Sequence, residues 1–108
     1  MIVNFGQLVA DIVVKPVDGY PEVGTAERVD VIDLRTGGCA LNTATVLQKL
    51  SVQTTVIGKI GTGVFGRFLL KTIDNRGIDT RGVIIDSNVS TSSVIVMISK
   101  NGGNILAT

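Results

Sequence analysis

The sequence has no histidine in its 108 residues. That removes the side chain used most often as a general base near neutral pH, and the commonest metal ligand. It has one cysteine, Cys39, so no disulfide can form within the chain; a reducing, cytoplasmic home is the expectation. With no second cysteine and no histidine to join it, Cys39 cannot anchor a zinc-type centre, and no metal site is expected. Long apolar runs are missing too. The longest unbroken one, residues 94–98, falls far short of the ~20 residues that cross a bilayer. At the N-terminus Asn4, Gln7 and Asp11 interrupt the apolar residues and no basic segment precedes them, so neither a signal peptide nor a membrane partner is expected. Charge of one sign is also scarce. Ten Lys and Arg face nine Asp and Glu, interspersed, for a net charge of +1, which leaves no patch to attract nucleic acid.

What is present is apolar. Hydrophobic residues make up 44% of the chain against 18% charged, and mean hydropathy is +0.45. That is high for a chain that can hold one domain at most, and it suggests a surface that packs against a partner chain or a missing part of the same chain.

Strand-like and helix-like segments alternate. Residues 1–6 and 10–17 are β-rich, residues 19–24 form a turn-rich connector, and residues 28–34 read as a half-exposed strand. A helix is expected over residues 40–50, with Ala40, Ala44, Leu47 and Leu50 on one face. A strand over 54–60 follows it. A second helix is expected from about 64 to 76, with Phe65, Leu69, Thr72 and Ile73 on one face, and Gly77 is placed to close it in a left-handed conformation. A short strand over 82–85 comes next. Residues 92–99 and 104–107 then flank Lys100-Asn101-Gly102-Gly103, and Asn-Gly is a strong hairpin signal. The middle of the chain is therefore β-α-β-α-β, the pattern of a parallel sheet, and exposed antiparallel strands flank it.

Two stretches could carry chemistry. Gly37-Gly38 leads directly into the helix that begins near Ala40, and Asn42 stands in its first turn. Paired glycines admit backbone dihedrals closed to other residues. The unpaired N–H groups of a helix start and an amide side chain could then hold a polyhydroxylated ligand close to the backbone. The plain alternative is a tight strand-to-helix turn. The second stretch is Gly61-Thr62-Gly63-Val64-Phe65-Gly66, a G-x-G-x-x-G after a strand and into a helix, with Asp86 twenty residues beyond. That is the dinucleotide-binding pattern, with Gly61, Gly63 and Gly66 around a pyrophosphate and Asp86 on a ribose. A P-loop does not fit, because Arg67 and Phe68 stand where Lys and Ser or Thr are needed.

Several motifs taken in order resemble the N-terminal part of a ribokinase-like (PfkB) carbohydrate kinase. Gly6 and Asp11 resemble the family's first strand and the aspartate after it, and Pro21 and Gly24 its P-x-x-G connector. Gly37-Gly38-Cys39-Ala40-Leu41-Asn42-Thr43-Ala44 resembles G-G-x-x-x-N-x-A, and Gly58 with Gly61 to Gly66 resembles G-x-x-G-x-D-x-F-G. Gly77-Ile78-Asp79-Thr80 and Thr91 also fall in family order. The sequence departs from the pattern at Gly63, where an aspartate is usual; at Val9, where ribokinases tend to be polar; and at Asn104, where a G-x-R element is common.

The resemblance implies a partial ribokinase-like α/β fold, a mostly parallel sheet with helices plus an antiparallel β lid. The core would be about 1–10 and 35–90, and the lid about 11–34 and 91–108. It implies that Asp11, Gly37, Gly38 and Asn42 bind the substrate, a sugar or nucleoside-like molecule, with Gly37 and Gly38 as the lid's hinge. It implies a parent enzyme that uses ATP and Mg2+ and can dimerise through the lid. The family's G-A-G-D segment, with its catalytic aspartate and anion hole, lies in a C-terminal half that nothing here matches. The expectation is therefore an N-terminal fragment without catalytic residues, inactive alone, or else a non-catalytic module that associates through its β strands.

Overall fold

The computed structural model describes residues 1–107 of the chain; Thr108, the last residue of the expected lid, lies outside the described residues. The chain forms two units, Met1–Ala10 with Thr36–Ser92, and Asp11–Arg35 with Ser93–Thr108.

The first unit is an α/β layer. Its strands β1 (Ile2–Phe5), β4 (Thr54–Ile60) and β5 (Val83–Ile85) make a parallel sheet in the order β1-β4-β5. The middle strand is buried along most of its length, at Thr54, Thr55, Val56 and Ile60, as expected of a parallel strand covered on both faces. Asn4 fastens the sheet at one end, its amide donating to Thr54 Oγ1 at 2.7 Å and to the Thr55 carbonyl at 3.0 Å. The flanking strands remain open, with Phe5 84% and Ile85 53% exposed.

Helix α1 (Cys39–Lys49) joins β3 (Val31–Gly37) to β4, packs on β1 and β4, and buries Ala40, Leu41 and Ala44. The expected apolar stripe is corrected here: Leu50 caps the helix and is exposed, Leu47 is half-buried, and Leu41 takes the inner position. The packing of α1 on β1 and β4 selects this face, which apolar spacing alone does not distinguish from its neighbour. Helix α2 (Val64–Asn75) buries Gly66, Leu69 and Ile73. Its end is closed by Gly77 at φ 76°, where the Gly77 N–H donates to the Asp74 carbonyl and the Ile78 N–H to the Ile73 carbonyl. The buried Ile78 and Ile73 accompany this left-handed stop, as the helix-ending motif requires.

The second unit is built on a four-stranded sheet in the order β3-β2-β6-β7, with β2 (Val9–Val17), β6 (Ser92–Ser99) and β7 (Asn104–Ala107). The hairpin anticipated at Asn101-Gly102 is present. β6 and β7 pair antiparallel with Ile98 opposite Asn104, and Gly102 turns the chain at φ 85°. The strand expected over 28–34 is observed as Val31–Gly37. Residues 28–30 lie outside it, and the strand instead runs on until it meets the glycine that opens α1.

Candidate functional site

In an open parallel sheet, ligands bind beyond the carboxyl ends of the strands. Here the carboxyl end of β1 meets the start of α1: a Cβ on Gly6 would lie 3.3 Å from Ala40 Cβ. The join is made by Gly38, the residue that caps α1, at φ 91°. A Cβ on Gly38 would sit 2.2 Å from the Gln7 carbonyl oxygen and 3.2 Å from Val9 Cγ2. Both the dihedral and the space therefore require glycine, and the helix start is pressed against the loop that leaves β1.

The consequence is an unblocked first turn. No side chain caps α1 and no acidic residue stands in its first turn. Its first internal bond runs from the Asn42 N–H to the Gly38 carbonyl at 2.9 Å, so the N–H groups before it have no partner within the helix. Gly37 is buried beneath this turn, whereas Asn42 is exposed and its amide makes no hydrogen bond to the described residues. Unpaired donors, the positive end of a helix dipole and a free amide suit hydroxyl or anionic groups.

Of the four residues expected to bind substrate, the α/β unit brings together Gly37, Gly38 and Asn42. Asp11 is the first residue of the other unit, half-buried on β2 between Ala10 and Ile12. Burial pushes its carboxyl above the ordinary value of 3.8, whereas hydrogen bonds from Arg35 and Arg81 hold Asp33 and Asp79 below theirs. Asp11 is more easily protonated in the folded chain, so its burial penalty is absent below pH 3.8 and grows as pH rises through its raised folded pKa. The Asp33 and Asp79 contributions are present above 3.8 and are lost as pH falls through their lowered values. Side-chain carboxyl resonances followed from pH 2 to 7 are expected to rank Asp11 above Asp33 and Asp79 in titration midpoint. An Asp11 midpoint at or below those two would contradict this reading of its surroundings.

The G-x-G-x-x-G segment is put to another use. A Cβ on Gly61 would lie 2.3 Å from the Val89 carbonyl oxygen, and one on Gly66 would lie 1.9 Å from the Gly61 carbonyl oxygen. The Gly61 N–H donates to Thr91 Oγ1 at 2.9 Å. These glycines let the start of α2 pack on the segment after β5, and the backbone they bring close is the chain's own. Asp86 faces Lys59 at 3.7 Å and accepts from the Asn88 N–H, so it too has local partners. The dinucleotide alternative thus loses its cradle to packing. Only Gly63 has open space, and it lies at the N-cap of α2.

One feature had no signal in the sequence. Arg76, the residue that caps α2, donates from Nη1 to Thr36 Oγ1 at 2.9 Å and to Thr45 Oγ1 at 3.0 Å, tying the ends of α2 and β3 to the middle of α1. In the sequence Thr91 is marked only by its place in a motif order, and its role as acceptor for Gly61 depends on a contact 30 positions away. As for metal, no group of three or more His, Cys, Asp or Glu that could hold an ion occurs among the described residues. The Mg2+ implied by the motif resemblance therefore finds no built donor set in them.

The family model described as pfkB family carbohydrate kinase matches residues 1–108. Fructokinase-1 of Zea mays is 30% identical over 102 residues, covering 94% of this chain and 30% of that protein. Among solved structures, a ribokinase of Arabidopsis thaliana complexed with ribose and ATP superposes with a TM-score of 0.87 at 25% identity, over 98% of this chain and 34% of the other. A sugar kinase of Pyrococcus horikoshii in complex with ATP gives 0.80 at 25% identity, over 99% and 33%. The chain spans about 30% of the length of the curated relatives it matches. With its motif order, its parallel sheet and its glycine-opened helix, the chain belongs to the pfkB family of carbohydrate kinases.

Proposed function

We propose that this chain forms the sugar-binding and lid portion of an ATP-dependent carbohydrate kinase, which moves a phosphoryl group onto a hydroxyl of a sugar or nucleoside-like substrate. The observation that carries the reading is Gly38 at φ 91°, wedged against the Gln7 carbonyl, because it leaves the first turn of α1 unblocked with Asn42 exposed in it. In this reading Asn42 donates to and accepts from sugar hydroxyls, and the Asp11 carboxylate accepts from two of them. Gly37 and Gly38 line the pocket and serve as the hinge on which the β unit moves. The α/β unit, Met1–Ala10 with Thr36–Ser92, is the platform, and the β unit is a lid that shuts out water able to intercept the phosphoryl group.

ATP would supply the phosphoryl group. The residues of this chain bind and orient the acceptor and exclude water, and they contribute no base to the step. The 108-residue chain alone is accordingly inactive. The exposed side chains of Ile32 and Ile95 on the β unit are suited to a second copy, which would make the parent a homodimer, and the proposed setting is the cytoplasm.

Two measurements test the reading. A coupled assay for ATP consumption with fructose, ribose or a nucleoside is expected to show no turnover by the chain, and turnover would overturn the assignment of the chemistry to absent residues. Fructose or ribose titrated against the 15N-labelled chain is expected to move the Asn42 side-chain and Gly38 amide resonances, and Asn42→Ala is expected to weaken the response. If neither sugar moves them while NAD does, the carbohydrate reading falls.

A further inference from the structure

We infer that the chain carries a second, small-anion site at the Arg76 tie, away from the Gly38 turn and independent of the kinase reading. A cavity of about 280 Å3 is lined by Thr45, Gln48, Lys49 and Arg76. It contains two cations and no acid. Among the described residues no carboxylate oxygen lies within 4.0 Å of the Arg76 or Lys49 side-chain nitrogens, although four other ion pairs form in the chain.

Arg76 is also set in place. It is half-buried, and its Nη1 is spent on the two threonine hydroxyls, so the plane of the guanidinium is fixed while Nε and Nη2 keep their hydrogens free of described partners. Thr45 is fixed in turn, because its hydroxyl donates to the Leu41 carbonyl at 2.8 Å. Gln48 lies beside Gly77, its Nε2 3.1 Å from where a Cβ there would stand, which brings an amide to the same end of the helices.

A half-buried guanidinium held only by neutral oxygens lacks the charge-assisted partner that stabilises such groups. The carboxyl ends of α1 and α2 each bring roughly half a negative charge. Lys49 and Arg76 together outweigh that, leaving a net positive cavity. A planar fork offering parallel N–H donors, with Lys49 lining the same cavity, matches an oxyanion such as a phosphate or carboxylate group on a small metabolite. Two donors on a rigid fork favour an oxyanion over chloride, which cannot accept in that paired geometry.

The test is a titration of the 15N-labelled chain with sodium sulfate, and separately with citrate, against sodium chloride at matched ionic strength. Sulfate is expected to shift the Thr45, Gln48, Lys49 and Arg76 amide resonances in a saturable way that chloride does not reproduce. Citrate as the stronger ligand would mark a carboxylate source, and sulfate as the stronger a phosphate-like one. Arg76→Lys, which keeps the charge and removes the fork, is expected to weaken sulfate binding about tenfold, the scale of one charge-assisted pair. Lys49→Ala, at an exposed position that leaves the tie intact, is expected to weaken it at least about threefold. Equal shifts with chloride, or unchanged sulfate binding in both variants, would reduce Arg76 to a structural tie and overturn the site.

Discussion

Replacing Gly38 by alanine is expected to destabilise the α/β unit by about 3 kcal/mol or more, a large share of the roughly 5–15 kcal/mol that holds a small domain folded. Two costs add. A residue with a Cβ at φ 91° pays about 1–2 kcal/mol for the left-handed backbone. The methyl group would then lie 2.2 Å from the Gln7 carbonyl oxygen, and relieving that contact means moving either the loop after β1 or the helix start. Gly102 separates the two terms, since it has φ 85° but nothing within 4 Å of its Cβ position, so Gly102→Ala should pay only the first. Urea unfolding followed by circular dichroism measures both variants. If Gly38→Ala lost no more than Gly102→Ala, the close approach to Gln7 would not be what shapes the turn.

The second large effect runs against helix propensity. Gly66 lies within α2, and in an exposed helix Gly→Ala stabilises by about 1 kcal/mol. Here the new methyl group would fall 1.9 Å from the Gly61 carbonyl oxygen and 2.9 Å from Thr91 Oγ1. Gly66→Ala is therefore expected to destabilise by about 2–4 kcal/mol, the range of severe overpacking. Gly63→Ala, with open space around it, should cost no more than about 1 kcal/mol, the loss expected when alanine replaces glycine at an N-cap. A dinucleotide cradle predicts a different ranking, in which both changes impair ligand binding while the fold survives. Comparing the two melting temperatures decides between them, and a Gly66→Ala chain as stable as the parent would reopen the cradle reading.

Much of the local structure was legible because it depends on neighbours in the chain. The α2 stop at Gly77 follows from glycine's freedom at positive φ, and Asn101-Gly102 announces its hairpin for the same reason. The motif order from Gly6 to Thr91 pointed to the family that residues 1–108 match. Where structure and expectation differ, the missing information is long-range. Leu41 and Leu50 are both apolar but stand about two and a half turns apart, on opposite sides of α1, and only the packing of α1 on β1 and β4 decides that the Leu41 side is the inner one. Alternation alone starts β3 at residue 28. Pairing to a neighbouring strand decides the matter, and the paired segment begins at Val31.

Dihedral freedom and hydrophobic period are properties of a residue and its near neighbours, so the bends at Gly38, Gly77 and Gly102 and the alternation of strands with helices can be read from the chain alone. Long-range packing settles which glycines face open space and which face the chain's own carbonyls. It alone seated Arg76 between Thr36 and Thr45, 40 and 31 positions away. Those outcomes depend on atoms that meet only after the sheet has closed in the order β1-β4-β5, and no local pattern encodes such a meeting.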